Sequence, residues 1–112
     1  MRQQVAEYTR QDNRGSLVQL ATGNWKQINA IFINKGKSFG KHYHKEKEEL
    51  FIIFKGEIKL TIGKGLSKNN YYFHTGESFV VEARNFHIIK AIEDTQMAEL
   101  ITEPYSKEDT YV

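Results

Sequence analysis

The sequence predicts a single domain of the all-β class, folded as a sandwich or barrel. Short apolar segments recur along the 112-residue chain, separated by Gly, Asn and Lys, and none is long enough to indicate a helix. β-Branched and aromatic residues dominate these segments, as they do in strands. Many short strands at such a spacing are typical of a sandwich or barrel, and a chain of this length forms one domain.

The predicted strands follow one another with turn residues between them. The strand segments are Ser16–Leu20, Gln27–Asn34, Gly40–His44, Leu50–Lys55, Glu57–Ile62, Tyr71–His74, Glu77–Val81, Phe86–Ile92 and Met97–Thr102. Turns are expected at Gly56, Gly63–Gly65, Asn69–Asn70 and Thr75–Gly76. The segment 57–62 alternates polar and apolar residues, as a half-buried strand does. The single proline, Pro104, follows the last strand, where it interrupts no ladder.

Two terminal segments are expected to flank this barrel. We assign residues 1–15 to an N-terminal arm, residues 16–102 to the barrel core and residues 103–112 to a C-terminal tail. The tail is polar, so we expect it to form a short helical turn or an arm lying on the surface.

The composition excludes several classes of partner and cofactor. Sixteen Lys and Arg residues against fourteen Asp and Glu residues give a net charge of +2, too small for a field that attracts nucleic acid. The lysines from Lys35 to Lys47 are expected to form a solvated rim. Without cysteine there are no disulfides, iron–sulfur clusters or thiolate metal sites. No apolar run spans a bilayer and the first residues lack a secretory signal, so a cytoplasmic location without membrane partners is expected.

Three histidines and a glutamate are the strongest candidates for a functional site. His42 and His44 are separated by one residue, so on a strand they point to the same face. Glu49 begins the next strand and His87 lies on a later one, so both can converge with them. These side chains are metal ligands for zinc, iron, manganese or nickel, or, without a metal, a general base and its orienting partner. His74 is expected to be an ordinary surface or core histidine.

Glu49 is preferred over its neighbours Glu46 and Glu48 as the carboxylate of this site. It would share a strand face with Phe51 and Ile53, whereas the two neighbours are expected to be solvated charges. Burying several titratable groups without pairing or chemistry costs several kcal/mol. The cluster is therefore expected to be functional rather than inert.

The spacing of these residues resembles the motifs of the cupin superfamily. The first cupin motif, G-x5-H-x-H-x4-E-x6-G, is matched by Gly36, His42, His44, Glu49 and Gly56. The resemblance implies a cupin-type jelly-roll β-barrel with the four ligand-like residues facing its interior.

The second cupin motif, G-x5-P-x-G-x2-H-x3-N, is matched only in part. Gly76 and His87 stand at the right spacing, but Glu82, Arg84 and Ala91 replace the expected Pro, Gly and Asn. These departures put the shape of the turn before His87 in doubt, and not the fold.

A second resemblance narrows the expected chemistry. The segment Asp12–Gly15 reads D-x-R-G, and it is similar to a segment of the cupins that act on nucleotide-linked 4-keto sugars. These are the dTDP-4-dehydrorhamnose 3,5-epimerases, the dTDP-4-keto-6-deoxyglucose 3,4-ketoisomerases, and the cupin domain of the capsular-polysaccharide reductases. The ketoisomerases are also similar over Arg14–Val18 and His42–Lys45, and the reductase domain over His42–His44 and in the ending Glu103–Tyr111. Alternatively, Asp12 and Arg14 simply brace a tight turn at Gly15.

This resemblance implies roles for the site residues. In the epimerases and ketoisomerases a histidine of this strand removes a proton beside the keto group, which carries over to His42 or His44; its pKa suits that role. Those enzymes work without metal, whereas the reductase-linked cupin binds zinc. A divalent metal held by His42, His44, Glu49 and His87 is therefore possible here, zinc first and otherwise iron, manganese or nickel, as is action without metal. Zinc would be a Lewis acid or a structural pin.

Substrate binding requires cations for a diphosphate and an aromatic surface for a base. Arg14 carries over from the epimerases, where the arginine of D-x-R-G contacts the nucleotide, often across a dimer interface. Arg84 is the second candidate because it is expected at the barrel mouth. Tyr43 is the proposed aromatic platform, with Trp25 and Phe39 as further candidates; ordinary packing is the alternative for all three.

The predicted function is that of an isomerase or epimerase acting on a nucleotide-linked 4-keto sugar in surface polysaccharide synthesis. The alternatives are a metal-dependent cupin, such as a dioxygenase, lyase or sugar-phosphate isomerase, and a non-enzymatic sugar-binding cupin. A homodimer is also expected, because small jelly rolls expose sheet edges. Ile31, Ile33 or the N-terminal segment would then pair across a two-fold axis.

Overall fold

Eleven strands form within the residues that the computed structural model describes, which are 1–4, 8–45, 47–103 and 107–111. They are β1 (Arg2–Gln4), β2 (Tyr8–Asp12), β3 (Gly15–Gln19), β4 (Gln27–Ile33), β5 (Ser38–His42), β6 (Glu49–Lys55), β7 (Glu57–Lys64), β8 (Ser67–His74), β9 (Ser78–Val81), β10 (Phe86–Ala91) and β11 (Thr95–Ile101). A 3₁₀ turn follows at Lys107–Asp109. The all-β class is confirmed.

Two antiparallel sheets pack as a sandwich. One has the strand order β1-β9-β6-β11-β4, and the other has the order β5-β10-β7-β8. A separate hairpin consists of β2 and β3, and the side chains of both strands are exposed along their whole length. No helix among the described residues is long and apolar enough to cross a membrane.

The core lies between the two sheets and follows from alternation along the strands. In β7 the buried residues are Ile58, Leu60 and Ile62, and the residues between them are half-buried, as the alternating pattern of residues 57–62 predicts. Opposite them, the rings of Phe51 and Phe79 stack with centroids 5.2 Å apart. Burying each such side chain contributes about 1.5–3 kcal/mol to folding, so this interior holds the two sheets together.

The apolar packing does not extend to one end of the sandwich, and this end holds the polar residues. Strand β5 finishes there at His42, β10 begins there next to His87, and β6 begins there at Glu49. Because β5 and β10 are antiparallel, His42 and His87 face each other in the ladder. The directions of these strands therefore bring polar residues that are distant in sequence to the same end of the sandwich.

The N-terminal segment contains two strands that the sequence analysis did not list, β1 and β2. Strand β1 pairs with β9 at the edge of the larger sheet, and β2 pairs with β3 as a hairpin. Strands β1 and β2 were not predicted because their residues are mostly polar and show no alternation of polar and apolar positions. At the hairpin turn Asp12 accepts hydrogen bonds from the backbone and side chain of Arg14, and Gly15 has a φ of 136°, so this pair does brace the turn.

Two further differences concern turns and the C-terminal tail. Asn69 and Asn70 were expected in a turn, but they lie within β8 and pair with Ile62 and Thr61; the reversal occurs earlier, at Gly65. The predicted helical turn in the tail is present at residues 107–109. Residues 104–106 and 112 lie outside the described residues, and with them Pro104 and part of the ending compared with the reductases.

Candidate functional site

The four residues that the sequence singles out converge at the polar end of the sandwich. Glu49 is the centre of the cluster: its Oε1 lies 3.2 Å from Nε2 of His44 and 3.6 Å from Nε2 of His87. The ring of His42 lies 4.5 Å from that of His44 and 4.8 Å from that of His87, measured between centroids. Glu49, His44 and His87 are buried and His42 is half-buried. The carboxylate preferred from sequence is thus in place.

Backbone carbonyls orient two of the imidazole rings. Nδ1 of His44 lies 2.8 Å from the carbonyl oxygen of Asp109, and Nδ1 of His87 lies 3.3 Å from that of Asn85. In both rings Nε2 is therefore directed at the interior. This is the arrangement of metal-binding histidines, whose second ring nitrogen donates to a carbonyl or carboxylate.

The donor set fits a divalent metal with a small adjustment. One ligand atom each from His42, Glu49 and His87 lies within 4.8 Å of the other two. A tetrahedral zinc ion at 2.0–2.1 Å holds its ligand atoms about 3.4 Å apart, so these side chains would turn inward on binding. His44 lies beside this trio with Nε2 on Glu49. Imidazole nitrogen with carboxylate oxygen is suited to zinc, iron, manganese or nickel.

Burial and neighbouring charges set the protonation of the cluster. Burial of Glu49 on its own raises its pKa, but hydrogen bonds with His44 and Glu99 and the nearby imidazoles outweigh it and lower the pKa to about 2. Burial, followed by the charges of His87 and His44, lowers the pKa of His42 to about 4. Burial likewise lowers the pKa of His87. At neutral pH, Glu49 is a carboxylate and His42 is a neutral imidazole.

Two hydrogen-bond acceptors flank His44. Asp109 contributes its carbonyl and Glu49 its carboxylate, so each ring nitrogen has an acceptor beside it. His42 differs, because no group among the described residues hydrogen-bonds with its ring. His42 is therefore the imidazole that is free to accept a proton from a ligand.

The interior cavity beside the cluster has a volume of about 350 Å³. Its wall includes His42, His44 and Glu49, together with polar residues that the sequence analysis did not select. The full lining is Gln27, Asn29, Phe39, His42, His44, Lys47, Glu49, Glu99 and Ile101. A cavity with convergent polar groups and shifted pKa values is suited to a small polar ligand.

Glu99 and Asn29 form the unpredicted wall of this cavity. They face each other in the ladder between β11 and β4, and Nδ2 of Asn29 donates to Oε1 of Glu99 over 2.9 Å. Gln27 donates in turn to Asn29 over 3.2 Å. Burial, then the hydrogen bond with Glu49 and its charge, raises the pKa of Glu99 to about 8. Glu99 therefore faces the cavity as a neutral acid at neutral pH.

A sequence signal for Glu99 did exist. On β11 the inward positions are Thr95, Met97, Glu99 and Ile101, so a carboxylate interrupts an apolar face.

For Lys47 the structure contradicts the prediction. It was assigned to a solvated rim, but its side chain is only 4% exposed and lines the cavity. Its place in a lysine-rich loop gave no indication of burial.

The residues predicted to bind substrate are found in two different places. Tyr43 and Arg84 line a second cavity of about 510 Å³ outside the sandwich. Tyr43 points away from the interior because it alternates with His42 and His44. Arg14 lies at the tip of the exposed hairpin, with Nη2 2.6 Å from Oδ2 of Asp12, and it lines neither cavity.

The remaining candidates are placed as follows. Phe39 lines the interior cavity, and Trp25 packs against the apolar cluster around Leu50. Glu48 lies 3.6 Å from Arg2 at the surface, and Glu46 lies outside the described residues. His74 is exposed, and its Nδ1 lies 2.7 Å from Oε1 of Glu77, so it is at the surface, one of the two places expected for it.

Comparison with known proteins agrees with this architecture. The sequence profile of a family described as Cupin domain matches residues 31–102. Among solved structures, a 3,4-ketoisomerase from Helicobacter canadensis has 20% sequence identity and a TM-score of 0.82, covering 94% of this chain and 85% of that chain. No curated protein sequence matches the chain significantly.

Two further solved structures share the fold. A mutant 3,4-ketoisomerase from Thermoanaerobacterium thermosaccharolyticum, in complex with TDP-4-keto-6-deoxyglucose, has 15% identity and a TM-score of 0.81, covering 95% of this chain and 83% of that chain. A dTDP-4-dehydrorhamnose 3,5-epimerase from Sulfolobus tokodaii has 21% identity and a TM-score of 0.77, covering 91% of this chain and 70% of that chain. At such identities the likeness establishes the fold, and the chemistry has to be argued from the site.

Proposed function

The chain belongs to the cupin domain family, and from this we propose that it is an isomerase or epimerase of a nucleotide-linked 4-keto sugar. One observation carries the proposal: the neutral imidazole of His42, which hydrogen-bonds with no described residue, stands in a polar cavity beside the contact between His44 and Glu49. Proton removal beside a keto group requires such a base. Structures of similar fold act on TDP-linked sugars, which supports this substrate class.

The proposed reaction divides the work among the cavity residues. His42 takes the proton from the carbon beside the keto group, because its ring is half-buried and no residue of the described ranges donates a hydrogen bond to it. His44, held between the carbonyl of Asp109 and the carboxylate of Glu49, lies beside His42 and provides a polar group next to the developing enolate. Return of the proton from His42 to a carbon of the sugar then completes the exchange.

A bound metal is compatible with the same residues. His42, His44, Glu49 and His87 would hold it, zinc being the first candidate. It would supply Lewis-acid stabilisation of negative charge on the sugar oxygen, or brace the barrel. The carbonyl contacts that orient His44 and His87 favour this possibility.

The same contacts favour a second candidate function, a metal-dependent cupin acting on another small molecule. Metal analysis of the purified protein separates the two proposals. A stoichiometric redox-active metal together with oxygen uptake would support the second function and contradict the first.

The test of the first function is exchange of solvent deuterium into TDP-4-keto-6-deoxyglucose, followed by NMR. We expect deuterium at the carbon next to the keto group with the wild type and at least a hundredfold slower exchange with His42→Ala. His74→Ala is the matched control, because His74 is exposed, pairs with Glu57 at the end of β8 and lines neither cavity. This variant should catalyse exchange at the wild-type rate.

Absence of exchange in the wild type, with the metal-free and the zinc-loaded protein alike, would refute the proposed function. If ligand affinity then persists in His42→Ala and His44→Ala, the protein is a binding module instead.

We further propose that the protein acts as a homodimer in the cytoplasm, within surface polysaccharide synthesis. The outer face of the larger sheet exposes Ile28, Phe32 and Phe54 side by side, and β4 is its unpaired edge in the described part of the chain. Ile31 and Ile33, named from sequence, point inward instead, because they alternate with the exposed residues. A 13 kDa species alone in light scattering at micromolar concentration would contradict the dimer.

A further inference from the structure

The second cavity lies on the outer face of the smaller sheet, at the end of β5 where Tyr43 stands between His42 and His44. Its floor is a row of three residues across β10, β7 and β8, in which Phe86 pairs with Gly63 and Gly63 pairs with Lys68. Position 63 requires glycine, since a Cβ there would collide with the backbone of Ser67. The rest of the wall consists of Tyr43, Lys64, Gly65 and Arg84, and the cavity volume is about 510 Å³.

Three cations surround this cavity and none has a carboxylate partner. Lys64, Lys68 and Arg84 all line it, and no acidic residue does. Within the described residues no Asp or Glu forms an ion pair with any of the three, whereas Arg2 and Arg14 are both paired. In a protein of net charge +2, this is a local concentration of uncompensated positive charge, which attracts a multiply charged anion.

Arg84 occupies a backbone conformation that arginine rarely adopts. Its φ is 71°, and no other non-glycine residue of the described chain has a positive φ. The cupin motif has glycine at this position, so here the turn retains the glycine conformation while carrying a guanidinium. Such a conformation is unfavourable for a residue with a Cβ. A side chain retained at that cost indicates a function for the guanidinium.

Aromatic rings complete the site beside the cations. Tyr43 is stacked on Tyr111 at 5.1 Å, and Nζ of Lys68 lies 4.8 Å from the centre of the Phe86 ring. A planar base can stack on such rings, while guanidinium and ammonium groups bind phosphate oxygens. Cations and rings in one cavity match a nucleoside diphosphate better than a simple anion or an apolar ligand.

We propose that the outer cavity binds the diphosphate group of a nucleoside diphosphate through Lys64, Lys68 and Arg84. The proposal rests on the proposed function, because it supplies the nucleotide part of a nucleotide-sugar substrate. A backbone contact links the two cavities: the N–H of Arg84 donates to the carbonyl of His44. Tyr43 lies between His42 and His44 in sequence, so a ligand here is held against the strand that carries the candidate base.

The test is calorimetric titration of the full chain with thymidine diphosphate, inorganic pyrophosphate and thymidine. We expect thymidine diphosphate to bind, pyrophosphate to bind more weakly, and thymidine not to bind measurably. Arg84→Gly and the double variant Lys64→Ala/Lys68→Ala should each weaken thymidine diphosphate binding at least tenfold. Lys90→Ala is the matched control, since Lys90 is an exposed lysine of the same sheet, and it should bind like the wild type.

Folding is separated from binding by the choice of variant. Glycine is the residue best suited to a φ of 71°, so Arg84→Gly should unfold at no lower urea concentration than the wild type while losing affinity. Unchanged affinity in Arg84→Gly and in the double lysine variant, or no binding of thymidine diphosphate at all, would overturn the proposal.

Failure of this proposal is distinct from failure of the proposed function. If the wild type exchanges deuterium into the keto sugar and Arg84→Gly leaves KM unchanged, the proposed isomerase activity stands, and the outer cavity is not the diphosphate site. If thymidine diphosphate binds but no exchange occurs, the diphosphate site stands and the proposed isomerase activity does not. In His42→Ala the binding of thymidine diphosphate should change less than twofold, because His42 lines only the inner cavity.

Discussion

Replacing Glu99 with Gln tests the protonation of the interior cavity. Burial and the neighbouring carboxylate of Glu49 raise the pKa of Glu99 to about 8, so the folded protein holds a proton there that the unfolded chain, with an ordinary pKa of 4.5, releases. Glutamine has nearly the same shape as the protonated acid. Its amide oxygen can still accept from Asn29, which contacts Glu99 over 2.9 Å, and its amide NH₂ can donate to Glu49.

The expected effect depends on pH with a definite sign. A raised pKa contributes stability that is fully present below pH 4.5 and is lost as the pH rises through about 8. At 1.36 kcal/mol per pKa unit, the interval corresponds to about 5 kcal/mol. Since the cavity admits solvent, we discount this and expect about 2–3 kcal/mol. Glu99→Gln should therefore match the wild type near pH 4.5 and exceed its free energy of unfolding by that amount at pH 8.

Urea unfolding at pH 4.5, 6 and 8 measures this difference, with the fluorescence of the single tryptophan, Trp25, as the probe. For an m value of about 1–3 kcal/mol/M, the midpoint at pH 8 should rise by roughly 1–2 M. Glu93→Gln is the control, because Glu93 is exposed, and its difference from wild type should not depend on pH. A pH-independent difference for Glu99→Gln would show that Glu99 is already ionised in the folded protein, refuting the reasoning.

Three further predictions concern the base, the strained turn and the core. The acid limb of kcat/KM for keto-sugar exchange should lie near pH 4, where His42 gains its proton and ceases to be a base; a limb at pH 6.5 would mean that His42 titrates normally. Arg84→Gly should raise the free energy of unfolding by about 1 kcal/mol, since a φ of 71° suits glycine. Urea midpoints measure this change. A loss of stability would show that the backbone of Arg84 is not strained. Phe79→Ala should lower the free energy of unfolding by about 3–5 kcal/mol, because its fully buried ring stacks on Phe51 and Phe73. Thermal unfolding measures the loss, and Tyr72→Ala is the control because Tyr72 is exposed on β8.

Strand positions were most predictable where polar and apolar residues alternate, as in β7. Residues 57–62 show the pattern in sequence and the same pattern of burial in β7. The pattern did not predict β1 or the hairpin strand β2, since β1 is held by backbone pairing with β9 and β2 buries no side chain. The turn at Asn69–Asn70 was wrong for a related reason: asparagine favours turns locally, but the β7–β8 ladder continues through both residues.

The sequence by itself determined the all-β class and the convergence of His42, His44, Glu49 and His87, because strand periodicity and motif spacing are local properties. Only the tertiary structure decided which residues surround them. Glu99 reaches Glu49 through the pairing of β11 with β6, and Asn29 reaches Glu99 through β4, contacts that span some 50 to 70 positions of sequence. Such register, and the burial that neutralises Glu99, depends on how whole strands pack. Local pattern therefore identified the imidazoles and the central carboxylate, while packing determined their protonation and enclosed them in a cavity.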